Sequence, residues 1–149
     1  MSPPCELRSR GRVLGVDVGT VRVGLATSDE SRTVATPLAT VQRGARDLWE
    51  RVQAEATQRD VRLAVVGLPL RLDGTEGDAA RDARHFADAL QARLHLDVEL
   101  WDERFTTALA ERHLVSAGMR RGRRRRAIDA VAAALLLQSW LDAHGDAAT

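Results

Sequence analysis

Apolar residues follow two different patterns along the chain. Short runs rich in valine and leucine predict buried strands, and stretches with an apolar residue every three or four positions predict amphipathic helices. Three strands come first, at about 12–18, 21–28 and 33–41. The tight turn at Gly19 and Thr20 between the first two strands favours an antiparallel hairpin.

Two further strands are each reached through a helix, and two helices close the chain. We expect the connecting helices at about 45–59 and 78–93, the strands at about 62–69 and 96–101, and the closing helices at about 107–117 and 124–143. A strand that follows a helical connection tends to lie parallel to its neighbour. The order therefore predicts an α/β fold with a mixed five-stranded sheet, antiparallel in its first three strands and flanked by helices.

Length and composition narrow the class of protein. At 149 residues the chain is long enough for one domain, which we expect to span residues 12–144, after a disordered N-terminal extension at 1–11 and before a tail at 145–149. Its one cysteine, Cys5, excludes an intramolecular disulfide. The longest strongly apolar run, 130–137, is too short to span a bilayer, and the first residues lack the apolar core of a signal peptide. These features predict a cytoplasmic protein with no membrane partner.

Acidic residues occur at three places where the pattern otherwise predicts burial. Asp17 lies near the carboxyl end of the first strand, and Asp102 and Glu103 end the fifth strand. Open α/β sheets bind their ligands at this edge. Asp129 lies in the last helix, and the apolar residues on its face are Ala132, Ala133, Leu136 and Trp140.

Three carboxylates brought together in a medium of low dielectric constant repel one another unless a cation compensates their charge. Mg²⁺ and Mn²⁺ prefer oxygen ligands, and a cluster without histidine suits them better than it suits zinc. We therefore expect Asp17, Glu103 and Asp129 to bind Mg²⁺ or Mn²⁺, with Asp102 as the alternative ligand from the fifth strand.

Each acid has a simpler explanation when it is considered alone. Asp17 is also compatible with a cap for the turn that follows it. The other two acids are compatible with ion pairs, and the candidate partners are Arg104 or Arg22 for Glu103, and Arg125 or Arg126 for Asp129. Asp129 also suits the N-terminal part of a helix, where the macrodipole favours negative charge. The joint occurrence of the three acids favours a metal site over these alternatives.

Positive charge is concentrated just before the last acid. The chain has no lysine, and six of the seven residues from 120 to 126 are arginine. Positive charge at the start of a helix opposes the macrodipole, so this run is not there to stabilise the helix. It suits the binding of a polyanion with an affinity that is independent of sequence, and the alternative is a solvated, flexible surface. With two phenylalanines, three tryptophans and no tyrosine, the chain offers few platforms for stacked bases.

In order and separation, four segments resemble the YqgF (RuvX) family of bacterial pre-16S rRNA nucleases, which are related to Holliday junction resolvases. The segments are "LGVDVGTVRVGLATSD", "VVGLPLRLDGTEG", "DERFTT" and "IDAVAAALLLQSWLD". The resemblance implies a ribonuclease H-like fold, a divalent-metal-dependent nuclease site and a role in maturing the 5′ end of 16S rRNA. It also implies that Asp17, Glu103 and Asp129 are the catalytic, metal-binding acids. The chain departs from the family in its basic segment, where members often mix lysine with arginine.

A nuclease of this kind also needs groups that bind the strand beside the metal. Gly19 keeps the turn after Asp17 narrow enough for a phosphate. In a two-metal hydrolysis one ion lowers the pKa of the attacking water and the other stabilises the leaving oxygen, so no histidine base is required. The candidate nucleic-acid-binding residues are Gly19, Thr20, Arg22, Arg104, Thr106, Arg120, Arg121, Arg123, Arg124, Arg125 and Arg126.

Three other functions remain compatible with the sequence. A Holliday junction resolvase would act on four-way DNA, which dimerisation would favour because one junction needs two active sites. A catalytically silent module would bind nucleic acid without cutting it. The segment "GVDVGTVRVGLA" also resembles the first phosphate loop of the sugar kinase and actin ATPases, which require a second domain. We expect precursor rRNA or branched DNA as the partner, bound by a monomer or a homodimer.

Overall fold

Five strands and three helices make up the part of the chain that this computed structural model describes, which is residues 11–103 and 121–144, with side chains in the second range from Asp129 onward. The strands are β1 (Arg12–Val18), β2 (Arg22–Ser28), β3 (Ala35–Gln42), β4 (Val61–Leu68) and β5 (Asp97–Asp102). The helices are α1 (Leu48–Gln58), α2 (Asp78–Leu94) and α3 (Arg121–His144). The helix predicted at about 107–117 lies outside the described residues. None of the helices in these ranges is long and apolar enough to cross a membrane.

The strands form one sheet in the order β3-β2-β1-β4-β5. β2 pairs antiparallel with both β1 and β3, whereas β4 pairs parallel with both β1 and β5. The predicted mixed sheet, antiparallel in its first three strands, is confirmed. Because β1, β4 and β5 run in the same direction, their carboxyl ends meet at one edge of the sheet.

β3 begins at Ala35 rather than near residue 33, because a turn precedes it. The carboxylate of Asp29 accepts hydrogen bonds from the backbone N–H groups of Thr33 (2.7 Å) and Val34 (3.2 Å). An aspartate that bonds to the backbone a few residues ahead stabilises a turn in place of a strand.

The side chains of β1 alternate between the two faces of the sheet, as the period of a strand requires. Leu14 and Val16 are fully buried on the face that α1 and α2 cover, whereas Val13 is fully buried beneath α3. Gly15 also faces α3, since a Cβ at this position would meet atoms of that helix. By the same alternation, Asp17 lies on the α3 face.

α3 lies across β1, β2 and β3 and buries an apolar face against them. The buried residues of the helix are Ala130, Ala132, Ala133, Ala134, Leu136, Leu137, Trp140 and Leu141. Burial of one leucine side chain stabilises a fold by about 1.5–3 kcal/mol, so this face fixes the helix on the sheet. The predicted burial of the face that carries Asp129 is confirmed.

Two tryptophans tie the second half of α3 to β5. Trp140 donates a hydrogen bond from Nε1 to Oε2 of Glu99 (2.8 Å), and Trp101 donates one from Nε1 to Oγ of Ser139 (3.1 Å). Buried indole N–H groups need such partners, and here each partner lies on the opposite element. These bonds hold α3, which carries Asp129, against β5, the strand that leads into Glu103.

Candidate active site

Asp17 ends the apolar run of β1 on the face that α3 covers. In the β1–β2 ladder its partner is Gly24. A Cβ at Gly24 would collide with the backbone carbonyl oxygen of Asp129. The absence of a side chain lets the backbone of α3 approach β2 closely, so Asp17 and Asp129 come to neighbouring positions.

Glu103 follows β5 and reaches the same face across β4. Its backbone N–H donates a 3.3 Å hydrogen bond to the carbonyl oxygen of Leu68, the last residue of β4. Its carboxylate lies over Gly67, where a Cβ would collide with Oε2. Since β4 lies between β1 and β5, the glycine leaves the space through which Glu103 reaches Asp17.

A hydrogen bond joins the side chains of Asp17 and Glu103. Burial raises the pKa of Glu103 to about 8, and the charge of Asp17, the hydrogen bond to it and the charge of Asp102 act in the same direction. Burial also raises the pKa of Asp17, which the hydrogen bond with Glu103 opposes and the charge of Asp129 reinforces. The raised pKa of Glu103 favours its protonated form at neutral pH, in which its carboxyl O–H donates the hydrogen bond to the Asp17 carboxylate.

Asp129 makes an ion pair that connects α3 to β2. Nε of Arg22 donates a 2.8 Å hydrogen bond to Oδ2 of Asp129. The two side chains are 24% and 22% exposed, so the pair is partly shielded from water. Arg22 is thus the partner of Asp129 rather than of Glu103, the pairing that the sequence left open.

The three acids are grouped on one face at the carboxyl edge of the sheet, but they are not arranged around a single point. Within the described residues, no three Asp, Glu, His or Cys side chains converge on a common ion position. Asp17 and Glu103 bond to each other, and Asp129 bonds to Arg22. The available donors are carboxylate oxygens, which fit a hard cation such as Mg²⁺ or Mn²⁺. Burial disfavours the ionised forms of Asp17 and Glu103 and so raises their pKa values. A bound cation would stabilise those ionised forms.

The loop between β1 and β2 contains two of the predicted strand-binding residues, Gly19 and Thr20, and Arg22 follows as the first residue of β2. The N–H of Gly19 donates a 2.9 Å hydrogen bond to the carbonyl oxygen of Arg22. A Cβ at Gly19 would lie 2.6 Å from that oxygen, so no side chain fits at this position. The predicted tight turn between two antiparallel strands is confirmed, and its binding of a phosphate stays a prediction.

Most of the predicted basic contacts cannot be placed against the acids. Arg104, Thr106 and Arg120 lie outside the described residues. The backbone of α3, without described side chains, carries Arg121, Arg123, Arg124, Arg125 and Arg126. Their role in binding nucleic acid stays a prediction.

Sequence reasoning missed three residues that shape this site. Gly67 makes room for the Glu103 side chain, and Gly24 makes room for the backbone at Asp129. A glycine inside a buried strand is the sequence signal for such a close approach. Arg43 donates a 3.0 Å hydrogen bond from Nη1 to the carbonyl oxygen of Gly19. No local pattern marks Arg43, because its partners lie far from it in the sequence.

Two solved structures share the fold of this chain. RuvC of T. thermophilus, in complex with a Holliday junction substrate, matches with a TM-score of 0.54 over 91% of this chain and 97% of that chain, at 16% identity. Another Thermus thermophilus RuvC structure matches with a TM-score of 0.51 over 89% and 95% of the two chains, at 13% identity. The predicted ribonuclease H-like fold is confirmed.

The chain belongs to the RuvX family, described as Holliday junction resolvase, whose family model matches residues 11–143. A Myxococcus xanthus relative, 45% identical over 135 residues that cover 89% of each chain, is named "Putative pre-16S rRNA nuclease". An Anaeromyxobacter dehalogenans relative of the same name is 47% identical over 132 residues, which cover 88% of this chain and 96% of the relative. The predicted family is confirmed, and with it the class of activity, a nuclease.

Proposed function

We propose that this chain is a divalent-metal-dependent nuclease that matures the 5′ end of pre-16S rRNA in the cytoplasm. Relatives of similar length that bear the name of a pre-16S rRNA nuclease support rRNA as the substrate. One observation carries the chemistry: Asp17 and Glu103 form a buried pair, and Asp129 lies near enough to raise the pKa of Asp17. Buried acids with raised pKa values, grouped at the ligand edge of a sheet, are typical of a functional site.

Asp17, Glu103 and Asp129 would hold the metal, with Asp102 as the alternative ligand from the end of β5. When bound, Mg²⁺ or Mn²⁺ supplies a water of lowered pKa and stabilises the leaving oxygen of the scissile phosphate. Ligation requires Glu103 to release the proton that it shares with Asp17, since only the carboxylate is a ligand. The affinity for metal therefore rises with pH until Glu103 is ionised.

Arg22 has two consecutive roles in this proposal. In the metal-free protein its guanidinium neutralises Asp129. When Asp129 binds metal, the planar guanidinium has N–H donors available for a phosphate oxygen. Its position at the start of β2, beside the Gly19–Thr20 loop, is on the edge where the scissile strand would lie.

The arginines from 120 to 126 supply affinity for the phosphate backbone without regard to base sequence in this proposal, and Arg104 and Thr106 extend that contact. The family description, Holliday junction resolvase, favours a second candidate substrate, four-way DNA. A monomer suffices for an rRNA end, whereas resolution of a junction requires a homodimer with two sites.

The two substrates can be separated by one comparison. Purified protein and its Asp17→Asn variant are incubated with Mg²⁺ or Mn²⁺ and with a precursor 16S rRNA 5′ fragment, an unrelated single-stranded RNA of equal length, or a four-way DNA junction. We expect metal-dependent cleavage of the precursor fragment by the wild-type protein alone. Preferential cleavage of the junction would indicate branched DNA rather than rRNA as the substrate. Binding of all three nucleic acids without cleavage would indicate a catalytically silent binding module.

A further inference from the structure

Arg43, the residue after β3, bonds to two different parts of the fold. Its Nη1 donates to the carbonyl oxygen of Gly19 (3.0 Å) and to Oδ2 of Asp82 in α2 (2.6 Å), and its Nη2 donates to Oδ1 of Asp82 (2.6 Å). Its backbone N–H donates a 2.8 Å hydrogen bond to the carbonyl oxygen of Val21. One residue thus connects both sides of the β1–β2 loop to α2.

Packing also holds the guanidinium of Arg43 in place. Its Cζ lies 5.7 Å from the centroid of the Phe86 ring, which is one helical turn after Asp82. The ring of Phe86 in turn stacks on Trp49 of α1, with 5.0 Å between centroids. The carboxylate and the ring that fix the guanidinium therefore come from one face of α2, which is itself packed on α1.

These contacts leave Arg43 poorly suited to bind a substrate phosphate. Three of the five N–H donors of a guanidinium are engaged by Gly19 and Asp82. The hydrogen bonds with Arg43 also lower the pKa of Asp82, so the carboxylate stays ionised and keeps its hold. The fixed guanidinium is better suited to hold protein groups than to bind a ligand.

The loop that Arg43 holds connects two residues of the candidate active site. Gly19 comes two residues after Asp17, and Arg22, the partner of Asp129, follows at the other side of the loop. The hydrogen bond between the Gly19 N–H and the Arg22 carbonyl closes the loop on itself. A shift of the Gly19 carbonyl would therefore be transmitted to both Asp17 and Arg22.

We propose that Arg43 is a positioning residue of the nuclease: anchored on Asp82 and Phe86, its guanidinium holds the Gly19 carbonyl and so fixes the loop between Asp17 and Arg22. Arg43 acts through this loop and does not touch the nucleic acid. The kinetic consequence rests on the proposed function, but the state of the loop can be measured without any substrate.

The test compares Arg43→Gln, Arg43→Lys and Asp82→Asn with Arg59→Gln as the control. The Arg59 side chain is 28% exposed against 26% for Arg43, and it also pairs with a carboxylate. Its hydrogen-bond partners are Glu55 and Gln58, which lie in α1. Two quantities are measured: amide hydrogen exchange at Gly19 and Arg22 in the metal-free protein, and kcat and KM for the precursor rRNA fragment.

We expect Arg43→Gln to raise exchange at Gly19 by about tenfold and to lower kcat by about 10–100-fold, with KM changed less than about twofold, because small displacements of reacting groups cost large factors in rate. Arg43→Lys keeps the charge but offers a single ammonium in place of a planar fork, so its effects should be intermediate. Asp82→Asn weakens only the contact that anchors Arg43 on α2, and it should raise exchange at Gly19 and lower kcat in the same direction as Arg43→Gln. This variant also tests the proposal if Arg43→Gln fails to fold. Arg59→Gln should behave as wild type.

Wild-type exchange at Gly19 in both Arg43→Gln and Asp82→Asn would overturn the inference. An increase in KM with kcat unchanged would also overturn it, since Arg43 would then bind substrate directly. If the wild-type protein does not cleave the fragment, the proposed function fails, and the exchange measurement alone decides whether Arg43 positions the loop.

Discussion

Arg22 in β2 and Asp129 in α3 are joined by a 2.8 Å hydrogen bond although they are separated by 107 positions in the chain. The pair attaches Asp129 to the loop that follows Asp17. It also occupies Oδ2 of Asp129, one of the two oxygens that this carboxylate can offer to a metal ion. A divalent cation and Arg22 therefore compete for the same carboxylate.

This competition predicts that Arg22→Gln binds Mn²⁺ more tightly than the wild-type protein in the absence of nucleic acid. A positive charge about 5 Å from a divalent cation weakens its binding by about 1.7 kcal/mol at the dielectric constant of water, so its removal should increase affinity by about tenfold or more. Affinity for nucleic acid should fall in the same variant. Calorimetric titration with Mn²⁺ measures the effect, with Arg62→Gln, whose side chain is 60% exposed, as the control. Equal Mn²⁺ affinities in wild type and Arg22→Gln would show that the ion and Arg22 do not compete for Asp129.

The raised pKa of Glu103 predicts an unusual pH dependence of stability in the metal-free protein. Its pKa is raised from 4.5 to about 8, chiefly by burial, so between these values the folded state holds a proton that the unfolded chain has released. The free energy of unfolding should therefore fall as the pH rises through this window. Thermal denaturation in a chelator, at several pH values from about 5 to about 8, measures the slope.

Glu103→Gln is the comparison for this pH series, because glutamine cannot titrate. The slope should flatten in this variant, and added Mg²⁺ should raise the Tm of the wild-type protein most at the upper end of the window, where the ligand is already ionised. A slope that is the same in wild type and in Glu103→Gln would assign the pH dependence to other groups.

The sequence predicts the elements of the fold because their signals are local. The apolar run of β1 and the helical spacing around Asp129 each depend on neighbours within a few positions, and both predictions are confirmed. The antiparallel start of the sheet is likewise predicted by the tight turn after Asp17. The late start of β3 was missed because it depends on the particular hydrogen bonds of the Asp29 side chain.

The inner structure of the site could not be predicted, because it depends on contacts between distant segments. The pairing of Arg22 with Asp129 requires α3 to lie on β2 at one particular register. The need for glycine at 24 and 67 arises from the same packing, since each glycine faces an atom of an acid far away in the chain. The three acids were found from their burial pattern, but their mutual arrangement required the tertiary structure.

Replacement by alanine should have different effects at Gly24, where stability is lost, and at Gly67, where cleavage is lost. In Gly24→Ala the new Cβ meets the backbone of Asp129, which cannot move without shifting α3, so stability should fall by about 1–3 kcal/mol. In Gly67→Ala the Cβ meets the end of the Glu103 side chain, which can swing away, and lies 3.1 Å from Cδ2 of Leu136, a contact that a small shift relieves. Stability should then fall less than in Gly24→Ala, while cleavage falls by about 100-fold.

Urea denaturation and cleavage rates, measured on the same preparations, separate the two glycine effects. Gly44→Ala is the control, because a Cβ there has nothing within 4 Å. If Gly67→Ala cleaves at the wild-type rate, the position of Glu103 over this glycine does not matter for catalysis.

The arginine run predicts a defined change in salt dependence. Replacement of Arg123, Arg124 and Arg125 by glutamine should weaken binding to different RNA sequences about equally and should reduce the slope of log affinity against log salt by about 0.7–0.9 for each lost phosphate contact. Arg126 stays unchanged, because it lies three residues before Asp129 and its loss would confuse the result. Filter binding over a range of salt concentrations gives the slope, and an unchanged slope would make the run a solvated surface.

Cleavage of the precursor rRNA fragment as a function of Mg²⁺ concentration tests most directly whether the three acids are the metal ligands of a nuclease. The variants are Asp17→Asn, Glu103→Gln and Asp129→Asn, with Asp97→Asn, an exposed acid at the start of β5, as the control. We expect the wild-type and control proteins to cleave with saturable dependence on Mg²⁺. Each of the three variants should lose cleavage by about 1,000-fold or more while staying folded, because each substitution keeps the size of the side chain but removes a carboxylate ligand. Cleavage that persists in a chelator, or a near wild-type rate in Asp17→Asn at saturating Mg²⁺, would contradict a metal-dependent mechanism at these acids.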